Sequence, residues 1–241
     1  MAVTLCFAVG AIAWWQLVRG TYATDVGEQR SLLLADGSMA ELNSLSRIRL
    51  RYSERERTVE LLEGQVLFRV AKEAGRPFVV RSDSARVRAV GTVFDVYRRL
   101  SGTTVTVLEG KVEVIAGTED TELRAATVDA QTARVALSAG EQVVVRASQI
   151  DRAPHVNTAA ATAWTQRQLV FESASLAEVA EEFNRYNARH LIIVGGVEPG
   201  FHVSGVFSST DPGSLVRFLR SRPGVSVEEA EKEIRIRVDG D

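Results

Sequence analysis

Three histidines, His155, His190 and His202, and a single cysteine, Cys6, are the side chains best suited to hold a metal. Their spacing gives no close pair, and Cys6 sits in an apolar run, whereas zinc sites need three or four converging ligands. No HExxH, no GxSxG and no phosphate-cradling glycine loop occurs. The 31 acidic residues always allow some carboxylate pair of the kind glycosidases use, but no feature singles one out. The reading is a non-enzyme without catalytic residues, metal or cofactor.

One cluster is sharper. Arg47-Ile48-Arg49-Leu50-Arg51-Tyr52 alternates, so a strand would place the arginines on one face and the apolar side chains on the other. Arg55 and Arg57 follow, interleaved with Glu54 and Glu56. Such a strip could meet an anionic partner, lipid headgroups or a ferric chelate. It is equally a solvated strand face beside compensating glutamates. The net charge of −2 argues against nucleic-acid binding, which usually needs a strongly basic domain. One cysteine leaves no internal disulfide.

The elements that would position these residues fall into blocks. Residues 1–18 carry no charged side chain, and Arg19 ends the run. A helix of that length spans about 27 Å, close to the roughly 30 Å hydrocarbon core, with Trp14 and Trp15 at an interfacial belt. The expectation is a single-pass transmembrane helix at 1–18. A secretory signal with Ala11-Ile12-Ala13 as its small-x-small site lacks a basic leading segment, and a buried core helix is the remaining reading.

From 21 to 145 the period is two, rich in β-branched and aromatic residues, with no helix of more than two turns expected. One phrase recurs: LLEGQVLF, VLEGKVEV and LSAGEQVVV, each with glycine between apolar runs. Asp36-Gly37, Glu63-Gly64, Gly91 and Glu109-Gly110 are read as structural turns. The fold class is mainly β with α+β: an all-β sandwich, barrel or irregular solenoid over 21–145 and a second domain beyond it.

Residues 146–163 shift to Ala, Ser, Thr, Asn and Pro154 and read as a linker. Over 164–241 the pattern alternates between strand and helix. Leu169-Val170-Phe171 is a strand. Ser175 and Glu178 make a capping box for a helix ending near Asn187, with Leu176, Val179, Ala180 and Phe183 on one stripe. Leu191 to Val194 reads as a buried strand and His202 to Phe207 as another. Asp211-Pro212 starts a second helix, and Val225 to Val227 and Glu233 to Val238 close the unit. The order suggests two similar βαβ halves.

The runs GEQRSLLLADGSMAELNSLSRIRLRY, VELLEGQVLFRVAKEAGRPFVV, VRAVGTVFDVY and VTVLEGKVEV, in that order, resemble the FecR family of periplasmic signal-transducing sigma regulators. Ala35 stands where that family often has proline before Asp-Gly-Ser. The second domain resembles the short N-terminal domain shared by secretins and TonB-dependent transporters, which also ends many FecR-family proteins. The carrying residues are Trp164, Leu169, Phe171, Leu176, Asn184-Arg185-Tyr186, Gly205, Phe207 and Asp211.

The resemblance implies an inner-membrane, single-pass regulator with the bulk of the chain in the periplasm. Its second domain would bind the signalling domain of an outer-membrane TonB-dependent transporter. The candidate partner-binding residues are Trp164, Phe171, Asn184, Arg185, Tyr186 and Phe207. Arg185 and Tyr186 also fit a plain helix end, with the cation facing the dipole and the ring packed. Contact with an extracytoplasmic-function sigma factor is expected only where a cytoplasmic segment precedes the helix. No nucleic-acid partner is implied. The alternatives are a periplasmic ferric-chelate-binding module and an envelope scaffold without signalling.

Overall fold

The computed structural model describes residues 20–117, 133–153, 156–195 and 201–238. The expected membrane helix at 1–18 lies outside these residues, as do Cys6 and His155. Among the described residues no helix is long and apolar enough to cross a membrane.

Thirteen strands form one sheet that doubles back into two layers. In chain order they are β1 (Thr21–Ala23), β2 (Arg30–Leu33), β3 (Met39–Leu42), β4 (Arg47–Tyr52), β5 (Arg57–Arg69), β6 (Phe78–Arg81), β7 (Ala85–Ala89), β8 (Val93–Arg99), β9 (Gly102–Glu109), β10 (Lys111–Ala116), β11 (Arg134–Ser138), β12 (Gln142–Arg146) and β13 (Gln149–Arg152). The first layer runs β1-β4-β5-β6-β7-β10-β11, and the second β2-β3-β5-β8-β9-β12-β13. β5 belongs to both. Its first half lies between β4 and β6, its second half between β3 and β8.

Alternation fills the space between the layers. Val59, Leu61, Phe78, Val80 and Val87 point in from one side, and Val66, Phe68, Phe94, Val96, Val105 and Val107 from the other. Phe68 is central, its ring 5.5 Å from both Phe78 and Phe94. Each such side chain, sealed from water, stabilises the fold by about 1.5–3 kcal/mol.

The recurring glycine phrase turns out to be a crossing device. Asp36-Gly37 is a true hairpin turn between the paired strands β2 and β3. Glu63-Gly64, Gly91 and Glu109-Gly110 are not: the backbone before and after each glycine enters different layers. Gly64 lies inside β5 at a register shift against β4. Gly91 joins β7 to β8, Gly110 joins β9 to β10, and Gly140 in the third copy joins β11 to β12. All four have φ between +72° and +85°. At Gly64 the need is also spatial, because a Cβ would fall 2.3 Å from Ser46 Oγ and 2.5 Å from the Leu45 carbonyl. A strand bent over a bulge passes to the next layer instead of reversing.

Asp36 does more than turn. Its carboxylate meets Arg57 at 2.7 Å, and both side chains are buried. Ser38 Oγ (2.6 Å) and Tyr52 Oη (3.0 Å) also donate to it. Arg57 shares the inward parity of Val59 and Leu61, so it lies under the sheet rather than with the exposed charges around it. Its guanidinium also donates to the carbonyls of Arg76 and Ala71.

The segment expected as a linker is partly built into the fold. β13 extends the second layer, and helix α1 (Thr158–Thr162), capped by Asn157, lies against β9. A 3-10 turn, Ala163–Gln166, leads into the second domain. That domain comprises β14 (Gln168–Ser175), α2 (Leu176–Asn184), β15 (His190–Ile193), β16 (His202–Ser208), α3 (Pro212–Arg220), β17 (Val225–Glu229) and β18 (Glu233–Val238). The capping box Ser175/Glu178 and the Asp211 cap are both present.

Two details differ from the sequence reading. The halves are not βαβ units of one sheet: β14 pairs with β16, while β15-β18-β17 is a separate sheet. Each half sends its first strand to one sheet and its second to the other. β15 is buried on one face only, with Leu191 inside and Ile192 outside, because it covers α2 from one side. β18 follows the expected alternation, with Ile234, Ile236 and Val238 inside.

Candidate functional site: the junction of the two domains

The outer face of the second layer carries Gln65, Leu67, Val93, Asp95, Tyr97, Thr104 and Thr106, at the parity opposite to the core residues. A strand face open to water would leave Gln65 and Asp95 solvated. Both are buried, because the 3-10 turn and the end of α2 cover them. The apolar share of this contact is small: Leu67 joins the second core, with Val93 and Leu108 against it.

The rest is polar. Asn43 Nδ2 donates to Tyr186 Oη at 2.6 Å and to Gln65 Oε1 at 2.9 Å. Gln65 Nε2 donates to Asp95 Oδ1 at 3.0 Å, and Trp164 Nε1 points at Asp95 Oδ2 at 3.4 Å. Gln29 Nε2 donates to the Trp164 carbonyl at 2.7 Å. Arg185 reaches across to the Ser44 carbonyl at 3.0 Å and stays paired to Glu182 at 3.0 Å. Ser44 Oγ in turn donates to the Arg185 carbonyl. Tyr97 is held between two guanidiniums, with Arg99 at 4.2 Å and Arg185 at 4.5 Å from its ring centroid, while its hydroxyl donates to Glu182 at 2.7 Å.

These surroundings shift the ionisable groups. Burial pushes the Asp95 carboxyl up to about 7. Gln65, Trp164 and the charge of Arg185 pull it back down, and Glu182 adds to the rise. Burial, with the Glu182 charge, also raises Tyr97 and Tyr186, so both stay neutral phenols. Burial works against the Arg185 charge, but the neighbouring Glu182 carboxylate holds the guanidinium charged.

The six candidate partner residues divide. Trp164, Arg185 and Tyr186 meet the β domain of their own chain. Asn184 clasps Leu191, donating to its carbonyl (3.0 Å) and accepting from its N–H (2.7 Å), which ties the end of α2 to β15. Phe171 and Phe207 lie inside the domain core, ring centroids 5.9 Å apart, with Phe218 5.2 Å from Phe207. Sequence reasoning missed Asn43, Gln65 and Asp95. The signal available was Leu67, an apolar residue at an outward position between Val66 and Phe68, together with a carboxylate in the apolar run Val93 to Val96.

Beside the network lies a cleft of about 440 Å³ between β14 and α2 on one wall and β8, β9 and β12 on the other. Asp95, Tyr97, Thr106, Gln142 and Glu182 are among its lining residues. No group of three metal-binding side chains occurs among the described residues. The arginines on β4 lie beside glutamates: Arg47 is 3.6 Å from Glu63, and Arg49 and Arg51 are 3.6 and 3.5 Å from Glu60. Glu60 is thus shared by two of the three arginines.

Two crystal structures, each of a candidate anti-sigma factor from Parabacteroides distasonis, share this architecture at 23% identity. They cover 92% and 91% of this chain and 99% of each of theirs, with TM-scores of 0.76 and 0.75. At that identity the likeness is one of fold. No curated protein matches the sequence. Residues 20–113 match the family model described as FecR protein. This segment, which holds the layer-crossing Gly64, Gly91 and Gly110 and the Asp36–Arg57 pair, is similar to the FecR family.

Proposed function

We propose that the chain is a sigma-factor regulator of the FecR type. It would carry the state of an outer-membrane TonB-dependent transporter across the inner membrane. The observation that carries this reading is the FecR match at 20–113 followed by a small α+β domain, an arrangement shared along 92% of the chain with a candidate anti-sigma factor. The apolar run 1–18 supplies the anchor in this reading, and the periplasm is the compartment of both domains. The C-terminal domain receives the transporter's signalling domain, and the link to iron uptake follows from the transporter class. The role is regulatory and needs no catalytic residue.

The test is direct. The purified full chain is titrated with the signalling domain of the transporter encoded beside it and with the neighbouring extracytoplasmic-function sigma factor. Transcription from that sigma factor's promoters is followed with and without the gene. Saturable binding to the signalling domain and a changed promoter output support the proposal. Absence of both sinks it, and ferric citrate binding without either would favour a chelate-binding module.

A further inference from the structure

We propose that the contact between the two domains is a releasable latch whose strength depends on the protonation of Asp95.

The geometry comes first. No strand pairing crosses the junction among the described residues. The apolar share is Leu67 with Val93 and Leu108. The rest is polar: a connected path of side chains, Tyr186–Asn43–Gln65–Asp95–Trp164, with Arg185 clasping Ser44, Gln29 on the Trp164 carbonyl and Tyr97 on Glu182 alongside it. Interfaces of this polar kind within one chain behave like transient ones. A hydrogen-bonded path that runs through a carboxylate changes character when that carboxylate gains or loses a proton.

Asp95 sits where such a change matters. Its two hydrogen-bond donors, an amide and an indole, are neutral. The nearest cation, Arg185, is already committed to Glu182 and the Ser44 carbonyl. The other charged or titratable groups facing it are Glu182 and Tyr186 from the end of α2, Tyr97 and Arg99 from β8, and Glu172 and Glu178 across the cleft. Burial, with the Glu182 charge nearby, favours the protonated form of Asp95 and outweighs its two neutral donors and Arg185. The cleft beside it gives the proton a route.

The sign follows from linkage. Asp95 binds its proton more tightly when docked than when free in water, so docking is favoured at low pH. It weakens as the pH rises from the ordinary carboxylate value of 3.8 to about 7, where the docked group has also lost its proton. In the limit of one linked proton, opening increases about tenfold per pH unit across that window and levels off above it.

The full chain labelled with 15N-tryptophan tests this. Trp14, Trp15 and Trp164 are its only indoles, and Trp164→Phe assigns the third. The Trp164 indole resonance is expected to titrate near pH 7. Its solvent exchange, corrected for base catalysis, should accelerate by up to tenfold per unit as the pH rises towards that value and level off above it. The Trp14 and Trp15 indoles serve as internal controls. Asp95→Asn should flatten both responses, and Glu182→Gln should move the midpoint to lower pH. A flat Trp164 titration in the unaltered chain overturns the proposal whatever the variants do. So does a titration that persists in Asp95→Asn, or a shift change with no change in exchange.

Discussion

Asp36 and Arg57 form an ion pair at 2.7 Å with side chains 3% and 0% exposed, beneath the hairpin that begins the β domain. The pair fixes three separated pieces of chain: the β2–β3 turn, the start of β5 and, through the Arg76 and Ala71 carbonyls, the loop that follows β5. Replacing Asp36 with Ala leaves the buried guanidinium only the half-exposed carboxylate of Glu73, 3.5 Å from its Nε. The expected loss is about 3–5 kcal/mol, read by urea unfolding. Asp36→Leu combined with Arg57→Met should cost clearly less than the single change. Equal costs would show that the pair is not the fastening.

The same pair sets an acid limit. Burial works to raise the Asp36 carboxyl, but the hydroxyl of Ser38, Arg57 and Tyr52 together hold it below its ordinary value of 3.8. A depressed folded value gives stability that is present above the unfolded value and lost as pH falls through the folded one. Thermal midpoints measured from pH 6 to pH 2 should therefore drop below about pH 4. Asp36→Asn should start lower and fall less. This runs opposite to the effect of Asp95, whose proton favours the closed junction at acid pH and is lost by about pH 7.

Gly64 and Gly140 share a left-handed backbone but not their surroundings. A methyl group at Gly64 collides with Ser46 and Leu45, whereas nothing lies within 4 Å of one at Gly140. Gly140→Ala should cost about 1–2 kcal/mol, the backbone term alone. Gly64→Ala should cost at least twice that, compared by denaturant midpoint. Similar losses at both positions would remove the packing argument.

Tyr186→Phe takes away one acceptor of the Asn43 amide in a buried setting. The expected cost is about 1–3 kcal/mol, measured on the full chain by chemical unfolding. Arg47→Ala and Arg51→Ala, which break half-exposed pairs, should each stay within about 1 kcal/mol.

Much of the fold is legible in the order of residues. Alternation marks β5, β8 and β9, because one side of each strand must be apolar. Ser175, Glu178 and Asp211 announce two helices, because their side chains satisfy free amides at a helix start. The crossings were not legible. A glycine with positive φ looks the same whether the next strand pairs with the last one or climbs into the other layer, and only long-range pairing decides. Arg57 was hidden in the same way. Among Glu54, Arg55 and Glu56 it reads as surface charge, and only its shared parity with Val59 and Leu61 betrays it. The junction was harder still. Trp164, Arg185 and Tyr186 stand out as contact residues, but sequence carries no mark of whether the contact is another molecule or the same chain.

β5 runs through both layers without a break. Neither layer can then come apart while the other stands, and the sandwich should melt as one cooperative block. A pull on the chain would leave it whole. The first place to yield is the seam of side chains at the second domain, which makes the β domain a rigid handle and the seam its fuse.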